Sequence, residues 1–562
     1  MAALIAAATI LAGGCGEETP RPATNAAQQQ RMDARAREDT FRYAASLLNS
    51  PDTLNVDPTI KERQSITQSA VRLIYGNTPA AVIEQLNRWL MTQKPAADWK
   101  PDPLVAGLPE AVRDLKSVEN LGDMRFATID GAALREAVWL RSISNLACSD
   151  AISALDRAQR LFDWTVRNIQ LDPAPSEEEP EAALPCLAWH LLLLGHGQAE
   201  DRAWLFMLLA RQQGMDVVLL KPAARKPVTL VGLLDASEQD GAQLYLFDMR
   251  LGLPIPGPGG KGVATLAQAA KDDSLLRQLD LDAEHAYPLV SSDVSQLTAE
   301  IEGSPLYLQQ RAAVVEAKLS GDQKLELSTD PSALAKRLKT LPQIEQAELW
   351  PLPLERLLSL ADRKSPQVLR LAAQLEPFLT FYPHPKKKEI ENAPLLWRGR
   401  TQHLVGNFTG PTGANHYYQA VRLPDVEIEG VAAAHGMQLN QITDPEIKKK
   451  MTQESQKALQ NLRTSKQDAS YWLGLIAFER GNPTTAEDYF LKRTLEPSPD
   501  GPWTPGAWYN LGRTYETLGQ ADQAIEAYRN DESPQRHGSL LKARRLESEA
   551  AKAEPQKAAA NS

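Results

Sequence analysis

Cysteine is scarce: there are three, Cys15, Cys148 and Cys186, in 562 residues. That excludes a disulfide framework, which needs a dense set of cysteines. Cys148 and Cys186 would be free to pair in an oxidising compartment, and the favoured reading is two separate buried thiols. Clustered cations are also missing. The formal net charge is −10, and the two basic runs, Lys386–Lys388 and Lys448–Lys450, are short. Nucleic acid is a poor partner for such a surface, because phosphate binding needs grouped Lys and Arg. After the first dozen residues no apolar run approaches the ~20 residues of a membrane-crossing helix. His285, His384, His403, His416, His435 and His537 show no metal-ligand spacing. No Walker loop, dinucleotide fingerprint or serine elbow occurs. No metal and no cofactor is therefore expected.

What is present is ordinary globular composition, 43% hydrophobic and 23% charged, in a chain long enough for three or four domains of roughly 100–200 residues. It opens with Met1–Ala12, almost wholly small or apolar, followed by Gly13-Gly14-Cys15. This resembles the lipobox of bacterial lipoproteins, where small residues admit the signal peptidase and the cysteine sulfur takes the lipid. The resemblance implies a signal over 1–15, lipidation of Cys15 and a periplasm-facing place in the cell envelope. With Gly16 after the cysteine, the outer membrane is the expected side. Leu11 sits one place early for the pattern, and no Lys or Arg precedes the apolar stretch. A plain cleaved signal or a short anchor are the competing readings.

Residues 16–38 are polar and Ala/Gln/Pro-rich, expected as a flexible tether. Residues 39–150 read as mainly helical, with Phe41, Ala44, Ala45 and Leu48 on one face and Pro51, Pro58, Pro79, Pro103 and Pro109 as punctuation. Residues 151–290 form an α/β pattern. Ala158, Leu161, Phe162, Thr165, Val166 and Ile169 make an amphipathic helix. A second helix, about Ala199–Gln213, is apolar nearly all round and should be buried. Strand-like runs follow at Val217–Leu220, Val228–Leu234 and Gln243–Phe247, the last two joined by the hairpin signal Asp240-Gly241. Residues 291–438 remain an unassigned α/β segment. Strands are expected there at Lys324–Leu327 and His403–Phe408, and helices at Pro331–Leu338 and Ser365–Leu375.

Residues 439–550 carry a repeat. Gly474, Gly481, Ala486 and Phe490 recur 38 residues later as Gly512, Gly519, Ala524 and Tyr528. The spacing of Trp508, Leu511, Gly512, Tyr515, Gly519, Ala524 and Tyr528 resembles the tetratricopeptide (TPR) repeat, a helix–turn–helix of about 34 residues. The extra residues fit the Pro-rich stretch Pro497–Pro505. Two repeats are few for a free-standing array, so either a helix around Glu446–Arg463 caps it or it packs on the rest of the chain. The resemblance implies a protein or peptide partner. Residues 551–562 read as a disordered tail.

The segment Gly195-His196-Gly197-Gln198-Ala199-Glu200-Asp201-Arg202-Ala203, with its flanking elements, resembles the papain/transglutaminase-like fold. There a cysteine starts a buried helix, and a histidine and an aspartate follow on successive strands. The resemblance places the cysteine position on Ala199, the histidine position near Thr229 and the aspartate position on Asp248. An alanine methyl cannot attack a carbonyl, so the implied domain is a degenerate, non-catalytic one. His196 and Gln198 are candidate cleft contacts, and the loop Leu253–Gly260 is a candidate wall. Cys186 and His190, at i and i+4, have a spacing that a thiol–imidazole pair or two metal ligands would share, though local packing is the expected role. The reading is thus an α+β, multidomain envelope protein that binds other proteins. Its rivals are a thiol- or metal-dependent peptidase or acyltransferase with unrecognised residues, and a purely structural envelope protein.

Overall fold

The protein is described by a computed structural model over residues 26–49, 66–75, 80–174, 183–237, 241–380 and 394–560. The lipobox, with Cys15, lies outside these residues. So do Pro51, Pro58, Pro79, Asp240, His384, Lys386–Lys388 and most of the acidic loop before Cys186.

A six-stranded sheet organises the middle of the chain, in the order β6-β5-β4-β3-β7-β8. The strands are β3 (Asp216–Pro222), β4 (Leu230–Ser237), β5 (Gly241–Asp248), β6 (Leu253–Pro254), β7 (Leu297–Ile301) and β8 (Ile344–Leu349). A separate parallel pair joins β1 (Gln170–Leu171) to β2 (His196–Gly197). Strands β3 to β6 are antiparallel, and only β7 and β8 run parallel within the large sheet. The period of two sorts side chains onto two faces. Val217, Leu219, Val231, Leu233 and Phe247 pack in one core with the buried helix Ala199–Arg211, while Val218, Leu220, Leu230, Leu244 and Leu246 pack in the other. Because β7 and β8 belong to the same sheet, the expected boundary at residue 290 does not exist.

The helices follow their caps and apolar stripes. Ser153 accepts from the Asp156 amide at 3.0 Å and starts Ala154–Asn168, whose Ala158, Leu161, Phe162 and Val166 are buried. Asp330 caps Pro331–Leu338 and Ser365 caps Pro366–Leu375. Four expectations fail. Lys324–Leu327 is extended but pairs with no strand among the described residues. Its alternating Leu325 and Leu327 are buried, while side chains serve its amides: Gln212 accepts from Glu326 at 3.3 Å and Glu316 from Leu327 at 2.6 Å. His403–Phe408 begins inside the helix Leu395–Leu404, where Trp397, Arg400 and Leu404 share a helical stripe; a short apolar run does not distinguish the two periods. The expected tether is helical from Ala26, within Ala26–Asn49, and the expected tail is helical to Ala560, within Arg536–Ala560. The first stretch is rich in Ala, Gln and Arg and the second in Ala and Lys, good helix formers without an apolar stripe.

Charge is buried with aromatic cover in the helix Thr128–Ala147. The Arg135 guanidinium lies 5.0–5.4 Å from the rings of Trp139, Trp189 and Trp397. Next to it, burial pushes the Glu136 carboxyl up to about 8. A raised carboxyl pKa means the folded state holds its proton while the unfolded chain releases it, so stability falls as pH rises from about 4.5 to about 8. Glu136→Gln should therefore melt close to wild type at pH 4 and progressively above it towards pH 8, as followed by circular dichroism. A difference independent of pH would contradict this.

Candidate functional site

The start of the helix Ala199–Arg211 is built by two glycines and the Asp201 carboxylate. Gly195, at φ 77°, ends the helix Ala188–Leu194 in the left-handed region, which glycine adopts without a Cβ penalty. A Cβ on Gly197 would stand 2.9 Å from Leu191 Cδ2 and 3.0 Å from Asp201 Oδ2. The Gln198 amide donates to Asp201 Oδ2 at 2.9 Å, and Arg356 Nη2 meets Asp201 Oδ1 at 3.2 Å. The Gln198 side chain donates to the Pro173 carbonyl at 3.2 Å, so it braces the turn. Pairing of β1 with β2 sets Asp172 beside His196, with Nδ1 and Oδ2 2.9 Å apart. Burial pulls the imidazole pKa down, but the Asp172 bond and the charges of Asp172, Asp468 and Asp201 outweigh it and hold it above the ordinary value.

The three positions singled out from the sequence do not converge. Ala199 begins the helix and is half-buried. Thr229 lies near it, since its hydroxyl donates to Glu200 Oε1 at 3.4 Å. Asp248 is opposite Leu230 in the β4–β5 register and belongs to the other face of the sheet. Its carboxylate accepts from the Arg250 and Leu251 amides at 2.8 and 2.9 Å and from the Tyr287 hydroxyl at 2.8 Å. It fastens a turn, and it orients no base. Cys186 and His190 also fail to pair. Both remaining cysteines are free and buried. Burial, with the Asp201 charge, pushes the Cys186 thiol well above its usual pKa, which disfavours a thiolate. His190 accepts from the Leu187 amide at 2.9 Å, and burial drives it down to about 3.

Trp503, which the sequence reading passes over, closes this site. It lies in the Pro-rich joint between the two helix pairs, within the extra residues of the first repeat. A Cβ on Gly195 would be 3.2 Å from Trp503 Cη2, and the His196 and Trp503 rings are 6.3 Å apart. Trp503 stacks on Tyr471 at 4.4 Å and donates to Asp468 Oδ1 at 2.8 Å. Burial raises the Asp468 carboxyl to about 7. The joint is sewn to β1 as well: Gln170 Nε2 donates to the Pro502 carbonyl at 2.9 Å, and its Oε1 accepts from the Gly506 amide at 2.8 Å. The only sequence signal for this contact is the surplus length of the first repeat.

The repeat region comprises the helices Pro445–Glu479, Pro483–Glu487 continued without a break by Asp488–Leu495, Thr504–Leu518, Ala521–Arg529 and Arg536–Ala560. The two copies have the same contact. A Cβ on Gly474 would lie 2.6 Å from the Phe490 ring, and a Cβ on Gly512 would lie 2.6 Å from the Tyr528 ring. Gly481 and Gly519 end the first helices at φ 69° and 72°. Leu511, Tyr515, Ala524 and Tyr528 are buried, and Trp508 is partly so. One face of the array packs on Ala154–Asn168: Asn510 Nδ2 donates to the Arg167 carbonyl at 3.1 Å, and Arg513 Nη1 meets Asp163 at 2.6 Å. The helix Arg536–Ala560, packed on Ala521–Arg529, and the contact with Ala154–Asn168 complete the array.

The second repeat leaves one groove open. Glu516, Gly519 and Ala521 face the loop Leu253–Gly262 across a space of about 1100 Å³, floored by Lys542 and edged by Lys261 and Lys552. Burial lowers the Lys542 ammonium to about 8. The loop thus lines a groove, but one formed with the repeats and not the cleft at Ala199. Among the described residues, no three His, Cys, Asp or Glu side chains are grouped to hold a metal ion, and no helix is long and apolar enough to cross a membrane. No curated protein and no solved structure matches the chain. Residues 505–530 match the family model described as tetratricopeptide repeat. The C-terminal region of this chain therefore contains a tetratricopeptide repeat, a stacked helix pair suited to protein interaction.

Proposed function

We propose that this chain is a non-catalytic binding protein of the bacterial cell envelope, held by lipid on Cys15, that grips an extended peptide segment of a partner in the groove between its second repeat and the loop Leu253–Gly262. The observation that carries the proposal is that groove, open beside a repeat whose other face is already taken by Ala154–Asn168. Its bases Lys261, Lys542, Arg544, Arg545 and Lys552 outnumber its acids Glu516 and Glu549, so the segment it fits is acidic. The α/β portion is proposed as a degenerate relative of the transglutaminase fold serving as scaffold. Three things support that part: an alanine where the nucleophile would be, an Asp248 committed to a turn, and a tryptophan from the array seated against the helix start.

Ala199→Cys should gain no acyl-transfer or amide-cleaving activity, because base and orienter are both missing and such groups act as a unit. Wild-type protein that cleaves peptides in a thiol-sensitive way, with loss on Cys186→Ala, would overturn the non-catalytic reading. Native wild-type protein should sediment with membranes, and Cys15→Ser should release it or leave it unprocessed. Wild-type protein found free in the cytoplasm would remove the anchor.

A further inference from the structure

A second cavity, of about 510 Å³, lies apart from the repeats, between Thr128–Ala147 and the helices Ala188–Leu194 and Leu352–Ser359. Its volume is within the ~300–1,000 Å³ range of small-molecule sites. The walls are aromatic and aliphatic: Ala133, Trp189, Leu306, Tyr307 and Leu357 among them. Two carboxyl groups line it, and they differ. Asp130 is fully engaged, by the Ala127 amide at 2.7 Å, Gln309 Nε2 at 2.9 Å and Arg311 Nη2 at 3.0 Å. Glu136 is not: Oε2 accepts from the Trp189 amide at 3.0 Å, and Oε1 has no hydrogen-bond partner among the described residues. The Trp189 indole N–H is likewise buried without an acceptor. Unmatched polar atoms in an apolar wall are costly unless something pairs with them.

We infer that this cavity binds an uncharged, largely apolar molecule carrying one hydroxyl, carbonyl or amine N–H group that pairs with Glu136. Charge excludes the alternatives. A charged guest would meet no buried counter-charge in the lining: Asp130 is spent on Gln309 and Arg311, burial favours the neutral form of Glu136, and Lys116 is exposed. The burial that favours a neutral Glu136 at pH 7 also favours a neutral guest.

The test uses full-length protein and N-phenyl-1-naphthylamine, an uncharged aromatic amine that brightens in apolar surroundings. Saturable binding at one site is expected, with displacement by 1-decanol. Decanoate and decylammonium should compete at least tenfold more weakly at pH 7. Ala133→Trp and Leu357→Trp, which fill the cavity from two different helices, should each weaken probe binding at least tenfold. Absence of saturable binding to wild type would overturn the inference. So would decanoate or decylammonium competing as well as decanol, or either folded tryptophan variant binding like wild type. The wild-type competition series decides the matter even where a variant fails to fold.

Discussion

Trp503→Ala should cost roughly 3–5 kcal/mol, the range for deleting a large buried aromatic side chain, and should loosen the repeat array from the start of Ala199–Arg211. Three contributions act together. The ring is 5% exposed and stacks on Tyr471 at an interplanar angle of 11°. Its Nε1 is the hydrogen-bond donor that reaches Asp468, a carboxyl 8% exposed. Its edge also fills the space that Gly195 leaves open. Removal creates a cavity and strands a buried acid, two of the named routes to large destabilisation. Chemical denaturation should show the loss, and hydrogen exchange should show faster opening of the amides of residues 195–198 than in wild type. Trp503→Phe should recover the stacking and leave the acid without its donor, falling between the two. A cost below about 1 kcal/mol for the alanine variant would mean that the joint merely rests on the α/β portion.

Gly512→Leu should overpack the helix pair of the second repeat, at roughly 1–3 kcal/mol or somewhat more. The first added atom is already too close, since an ideal Cβ stands 2.6 Å from Tyr528 Cε1, and Tyr528 is fully buried with its hydroxyl on Glu516 at 2.5 Å. The ring has no room to retreat. Gly512→Ala should therefore already lower the melting temperature. Adding Tyr528→Leu to Gly512→Ala should make the pair of changes cost less than the sum of the two alone, because they share one contact. Strict additivity would place the two residues apart and contradict the repeat packing.

These expectations also mark how far the sequence could be read. The repeat was legible because Gly474 with Phe490 and Gly512 with Tyr528 stand in the same relation, and a close helix approach demands a missing side chain opposite a ring. The buried helix Ala199–Arg211 and the strands after it were legible from apolar periodicity and from Gly195. Periodicity cannot say which strands share a sheet, so the entry of β7 and β8 beside β3 was hidden. It also cannot tell a paired strand from an extended segment whose amides are met by side chains, which is why Lys324–Leu327 misleads. The resemblance singles out Asp248, the last residue of β5, but position in a strand does not reveal the acid's partner; Tyr287, 39 residues on, decides its role. Trp503 and Asp468 are far from Gly195 in sequence, and only folding brings them together.

The most direct test of the central claim is photo-crosslinking in the native cell, with benzoylphenylalanine placed singly at Lys261 or Lys552, on the edges of the groove, and at Ile152, which is 95% exposed on the α/β portion. The account predicts a discrete adduct from both groove positions, lost when Lys261 and Lys552 are each tested with the other changed to Glu, and none from Ile152. Adducts from Ile152 with none from the groove would contradict it.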